Sequence, residues 1–243
     1  MSLAYNGTNY SGWVIQNKQI TIQGCLNKAI KSVIKSSDFR TIGASKTDAK
    51  VHALDQKVWL QLNFEPNLTG FAAGINKALP ADIRVLDIKP VDEKFYVRNT
   101  VQKTYKYQIN NGEYDVLNEN WFLYYDYKKL NLEELRKNAQ IFIGKHDFFA
   151  FSGLSLEERL QINTIRSIDE IKVEEVSNHS FIIYFVAKGF IRYQIRTIVQ
   201  TILAICEGKI SAQKVISALK GDIDKKIPYR AKPKGLTLVK INY

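Results

Sequence analysis

The sequence predicts an α+β fold, a largely antiparallel mixed sheet shared by two lobes with helices packed behind it. Three observations carry this reading. Apolar and polar residues alternate in short runs, as in Val58, Leu60, Leu62 and Phe64 against Lys57, Trp59, Gln61 and Asn63. Other segments have helical spacing, as in Ile22, Leu26, Ile30, Val33 and Ile34. The two kinds of segment do not alternate regularly along the chain, which disfavours a doubly wound parallel sheet.

A first strand is expected around residues 2–5, followed by a loop rich in Gly, Asn and Tyr. Thr21 is placed to cap the helix that begins near Ile22. The segment 43–55 reads as a loop, and the alternating run after it as a strand. A helix near 68–78 and a strand near 83–88 close the first half, with Pro80 and Pro90 as punctuation. In the second half, Tyr105, Tyr107 and Ile109 alternate with Lys106 and Gln108, and residues 132–143 form an amphipathic helix ended by Gly144. A polar stretch over 144–163 precedes strands near 165–173 and 181–187. A long helix is expected from about Phe190 to Glu207, a short one over 211–219, and a final strand over 236–243. The lobes divide into residues 1–96 and 97–243.

Composition narrows the function. Apolar residues are 45% of the 243 and aromatics 12%, enough for a sizeable core and too much for a disordered chain. Thirty-five basic against 24 acidic residues give a net charge of +11, which draws polyanions to the surface. The absence of a long apolar run and of a leader segment favours nucleic acid over a membrane as the partner, and a cytoplasmic location. Cys25 and Cys206 lie far apart in apolar surroundings and read as reduced thiols. His52, His146 and His179 do not cluster with cysteines, so no metal site is expected.

The densest chemical signal is the loop Gly43-Ala44-Ser45-Lys46-Thr47-Asp48-Ala49-Lys50-Val51-His52-Ala53. A carboxylate among small residues and flanked by lysines suits a nucleophile or base kept ionised by nearby positive charge. An aspartate after Ser or Thr also forms Asx-turns and helix caps, so the loop by itself leaves both readings open. In the long helix Arg192, Arg196 and Gln200 fall at i, i+4 and i+8 opposite an isoleucine stripe. Arginines in a first turn oppose the helix dipole unless a carboxylate or phosphate sits against them. Aromatic and basic residues interleave at Tyr10, Trp13, Tyr96, Arg98, Lys103 and Tyr107, as where bases stack and phosphates are neutralised. Gly7 to Gly12 has phosphate-loop spacing, but Trp13-Val14 replaces the Lys-Ser/Thr that a nucleotide site needs, so no nucleotide cofactor is expected.

Taken in order, these segments resemble the bacterial TruA-type tRNA pseudouridine synthases. Tyr5-Asn6-Gly7-Thr8-Asn9-Tyr10-Ser11-Gly12-Trp13 is similar to the first family motif, Y-D-G-T-x-[FY]-x-G-W-Q, and Ser45 to Ala53 to the catalytic S-R-T-D-A-G-V-H-A. Lys103 to Tyr107 resembles K-x-Y-x-Y, Gly144 to Phe148 resembles G-x-H-D-F, and Thr164-Ile165-Arg166 resembles T-x-R. Phe190 to Val199 is similar to F-L-x-x-M-V-R-x-I-V, and Gly235-Leu236 to the C-terminal G-L.

The resemblance implies the pseudouridine synthase fold, a basic cleft between the lobes, a homodimer, and isomerisation without cofactor of uridines 38 to 40 in the tRNA anticodon arm. It makes Asp48 the catalytic aspartate, Tyr105 the residue stacked on the target base and Arg196 the partner of Asp48. Lys46, Lys50, His52, Arg166 and Arg192 are the expected RNA and substrate contacts. Lys46 and Lys50 stand where the family has arginine and glycine. A lysine at the glycine position requires either an ordinary backbone or strain. A non-catalytic RNA-binding protein would need the basic surface but not Asp48. A methyltransferase would need a glycine-rich cofactor loop after a strand, which is not found.

Overall fold

The computed structural model describes residues 1–177, 179–222 and 225–243. It divides into two compact units, Met1–Val101 with Thr237–Tyr243, and Gln102–Leu236.

The first unit is built from strands β1 (Ser2–Tyr5), β2 (Arg40–Gly43), β3 (His52–Gln61) and β4 (Ile83–Asp87), helices α1 (Ile22–Ile34) and α2 (Leu68–Ala78), and the last strand of the chain, β11 (Leu236–Asn242). Its sheet runs β4-β1-β3-β11, with β2 also on β3. All of these pairings are antiparallel except β3 with β11, which is parallel through Thr237 opposite His52 and Leu238 opposite Ala53. α1 begins where its sequence says it should, because the Thr21 hydroxyl accepts from Gly24 N at 3.2 Å, a cap that stabilises by about 1 kcal/mol. Ile22, Leu26 and Ile30 are buried along one face, and α2 packs beside α1.

The strand after the candidate loop begins earlier than alternation suggests. β3 starts at His52, not Lys57, and β2, unsignalled in the sequence, precedes the expected loop and overlaps it only at Gly43. Alternation fails at the start of β3 because His52 and Ala53, which point to opposite faces of the sheet, are both buried. The true loop is therefore 44–51.

The second unit contains β5 (Gln102–Asn110), β6 (Leu123–Tyr124), α3 (Leu132–Gln140), β7 (Gly144–Asp147), α4 (Leu156–Gln161), β8 (Ile165–Ile168), β9 (Glu170–Ser177), β10 (Ser180–Ala187), α5 (Gln194–Cys206) and α6 (Ala212–Lys220). Strands β5, β10 and β9 pair antiparallel in that order, β6 joins β5 in parallel, and β7 with β8 form a separate antiparallel pair. Tyr105, Tyr107 and Ile109 pair with Phe185, Ile183 and Phe181 on the buried face, the face the alternation predicts. α3 packs on β9 and on α5.

Three sequence expectations change here. α3 ends three residues early, because Phe142 and Ile143 turn with i−3 bonds before Gly144 at φ +99°. The polar stretch is structured: it holds β7, the buried turn Phe149–Phe151, and α4 with a Ser155–Glu158 capping box. The long helix starts at Gln194, four residues late, because Tyr193 is left-handed at φ +65° and the Gln194 side chain accepts from Ile191 N at 2.9 Å. Arg192 thus lies outside the helix and shares no helical face with Arg196.

Candidate active site

The loop that carries Asp48 is fixed at both ends and along its length. Ala44 N extends the β2–β3 ladder by one bond, to Lys57 O at 2.8 Å. The loop then leaves the sheet, and the segment from Asn6 to Trp13 folds against it. Trp13 N donates to Thr47 O at 3.0 Å, and Lys50 N donates to Tyr10 O at 3.0 Å. The Tyr5 and Thr47 hydroxyls are bonded at 2.7 Å, and the Tyr5 ring stacks on Trp13 at 6.2 Å between centroids.

This close packing explains the glycines of the first motif. A Cβ at Gly7 would lie 2.0 Å from Val51 O, so only a residue without a side chain lets the two segments meet. The motif's tyrosines and tryptophan are therefore loop supports: Tyr5, Tyr10 and Trp13 are all buried. Burial, and then the Asp82 carboxylate that accepts from its hydroxyl, raise the Tyr10 phenol above its usual range and keep it neutral.

Among these buried groups the polar tip of the loop faces outward. Ser45 and Thr47 are buried, Asp48 is half-buried, and Lys46 and Lys50 are exposed. Lys50, at the position where the family motif has glycine, takes a left-handed backbone, φ +63°, at a cost of about 1–2 kcal/mol. The strained alternative is the one adopted.

His52 is a correction to the expected RNA contacts. It is 1% exposed, and its Nδ1 accepts from Gly7 N at 3.1 Å. A ring so enclosed braces the first motif against β3 and has no surface to offer a nucleic acid.

In the second unit Tyr105 lies on β5, 9% exposed, with its ring edge-on to Phe190 at 5.4 Å. Arg196, in the first turn of α5, has its orientation set by the strand-like segment before Gly235. Its Nε donates to Ala231 O at 2.8 Å, and Ala231 N donates back to Arg196 O at 3.0 Å. The next residue of that segment is anchored to β5, where the fully buried Tyr107 hydroxyl donates to Lys232 O at 2.6 Å. Tyr107, which the sequence places in an aromatic and basic run suited to base stacking, is instead a buried residue that helps to set the height of Arg196.

Tyr193 collects cations. The guanidinium of Arg230 sits 4.4 Å from its ring centroid and that of Arg196 5.3 Å. Arg230 carries no motif signal and was not singled out by the sequence. Arg192 is committed locally, pairing with both Glu158 oxygens at 3.1 and 2.7 Å. Arg166 is half-buried on β8, donates to Ile165 O, and is pushed below its ordinary range by desolvation. No cluster of metal-ligating side chains occurs among the described residues, and no helix among them is long and apolar enough to cross a membrane.

Known proteins agree with these motifs. Residues 139–243 match the family profile described as tRNA pseudouridine synthase. The tRNA pseudouridine synthase A of Mesoplasma florum is 46% identical over 244 residues, covering 99% of this chain and 96% of that protein. That of Mycoplasma mycoides subsp. mycoides is 47% identical, covering 100% and 96%. The enzyme of the same name from a Thermoanaerobacter species is 37% identical, covering 98% and 96%. Near-complete coverage of both partners at these identities extends the likeness from the separate motifs to the whole chain, which belongs to the tRNA pseudouridine synthase A family, isomerases acting on uridine in tRNA.

Proposed function

We propose that the protein converts uridines 38 to 40 of the tRNA anticodon stem-loop to pseudouridine, with Asp48 as the catalytic carboxylate. The observation that carries this reading is the loop itself: a rigidly held, small-residue segment that keeps Asp48 half-exposed between two exposed lysines. The reaction breaks the N1–C1′ bond, turns the uracil while it stays bound, and joins C5 to C1′, with the C5 proton lost and one proton taken up at N1. No electrons or water are consumed.

The target base must first leave its stack, at a cost of about a few kcal/mol that contacts to flanking phosphates offset. Asp48 acts as the nucleophile at C1′ or as the base that forms a glycal. Tyr105 packs on the uracil, and Arg196 keeps Asp48 ionised and oriented. Lys46, Lys50 and Arg166 neutralise phosphates, Lys46 also filling the space of the extruded base with its aliphatic stem. Arg192 joins them by exchanging its half-buried Glu158 partner for phosphate. The enzyme works as a cytoplasmic homodimer on tRNA.

Release of tritium from tRNA labelled at uridine C5 tests the reading. Release without added cofactor is expected; binding of tRNA without release would favour a non-catalytic RNA-binding protein.

A further inference from the structure

We propose that Gln56 is a positioning residue for Asp48, whose side chain replaces the strand neighbour that β3 lacks at the root of the catalytic loop. The inference rests on the catalytic role proposed for Asp48.

One edge of β3 pairs with β1, with Leu3 opposite Gln56. The other edge is shared by two strands. β2 pairs with it from Gln61 to Val58, and β11 takes over at Ala53 and His52. The chain leaves the sheet in the interval between, just after Ala44 N bonds to Lys57 O. Ser45 then has a buried N–H and C=O with no strand beside them. The Gln56 carboxamide meets both: Oε1 accepts from Ser45 N at 3.1 Å, and Nε2 donates to Ser45 O at 2.8 Å. The pair reproduces a ladder with one side chain and fixes which way the amide faces, since the reversed amide would set donor against donor. Nε2 also lies 3.5 Å from the Tyr5 hydroxyl, which bonds to Thr47 Oγ1 at 2.7 Å.

Gln56 is 0% exposed. Its polar end therefore has a large penalty for losing these partners. Ser45 and Thr47, the two residues it reaches directly and through Tyr5, are the third and first residues before Asp48. The buried Ser45 hydroxyl has no partner among the described residues, so what holds Ser45 is its backbone. A carboxylate displaced by even about 1 Å from its attack position loses on the order of 100-fold in rate.

The test is single-turnover pseudouridine formation at saturating enzyme, with tRNA dissociation constants and melting temperatures measured alongside, for the wild-type protein and two variants. Gln56→Met keeps the volume and removes both bonds; its rate should fall about 10- to 100-fold while tRNA affinity stays within about 2-fold. In Gln56→Glu the ionised side chain cannot donate to Ser45 O, whereas the protonated acid can, and burial raises its pKa. Its rate relative to wild type should therefore rise as pH falls from about 8 to about 6, a signature that general loosening does not produce.

Wild-type rates in Gln56→Met overturn the proposal. So does a rate loss matched by an equal loss of tRNA affinity, which would place Gln56 in binding. If Gln56→Met does not fold, a pH-independent rate ratio in Gln56→Glu overturns it. A wild-type protein that forms no pseudouridine fails at the level of the Asp48 reading, an outcome separate from an active wild type with an equally active Gln56→Met.

Discussion

Gly12 lies directly against the peptide of Asp48. At φ +94°, a Cβ on Gly12 would sit 3.0 Å from the Asp48 carbonyl carbon and 2.8 Å from Thr47 O. The first motif and the catalytic loop are thus two halves of one packed object, and glycine is required at their contact both for its backbone and for its lack of volume.

Gly12→Ala should destabilise the protein by roughly 2–4 kcal/mol, the sum of a left-handed alanine and a backbone clash. It should also lower pseudouridine formation in whatever fraction remains folded. Urea unfolding together with single-turnover assays checks both. A fully stable and active Gly12→Ala protein would show that the loop yields more easily than its contacts indicate.

Lys50 offers the opposite case, since it holds a left-handed backbone at φ +63° where glycine would be unstrained. Lys50→Gly should raise stability by roughly 0.5–1 kcal/mol after allowance for the greater freedom of glycine in the unfolded chain. If the exposed amine meets a phosphate, the same change should weaken tRNA binding and reduce the slope of log affinity against log salt by about one. Gain in stability with loss of affinity is the expected combination; loss of stability would contradict the strain.

Much of this was legible in the sequence, for reasons specific to each element. α1 could be read to its first residue because Thr21 is a cap and Ile22, Leu26 and Ile30 share a face. β5 could be read because Tyr105, Tyr107 and Ile109 are buried on one face while Thr104, Lys106 and Asn110 on the other are only half-buried. Where both faces are covered, period two disappears, which hid the start of β3 at His52 and Ala53. The parallel placement of β11 beside β3 has no local signature at all. Motif order pointed to the Asp48 loop, but not to Gln56, whose side chain bonds to the Ser45 backbone. In the second unit, Tyr107 acts on the Lys232 carbonyl, distant in sequence, and Arg230 reaches the Tyr193 ring only because the chain returns to it. One clue was present: a glutamine within a run leading to a buried strand is costly unless its amide is fully used.

The tie between Arg196 and Ala231 gives a graded expectation. Arg196→Lys cannot place a donor at Ala231 O and also present a planar fork, so it should recover only part of the activity lost in Arg196→Ala. Tyr107→Phe, which leaves Lys232 O without its 2.6 Å donor, should lower the rate in the same direction but less, with a loss of stability of about 1–3 kcal/mol. Full activity in Arg196→Ala would contradict the role proposed for the arginine.

The central claim is that Asp48 performs the chemistry on anticodon-arm uridines. Asp48→Asn keeps the size of the side chain and removes its charge, so folding and tRNA affinity should be retained. The decisive measurement is carbodiimide primer extension on cognate tRNA after incubation with wild type and with Asp48→Asn, each at an enzyme concentration that saturates binding. Wild type should produce stops at one or more of positions 38 to 40, and Asp48→Asn none. Equal stops with both proteins would contradict the assignment of Asp48, and stops confined to another region of the tRNA would contradict the assignment of the anticodon arm.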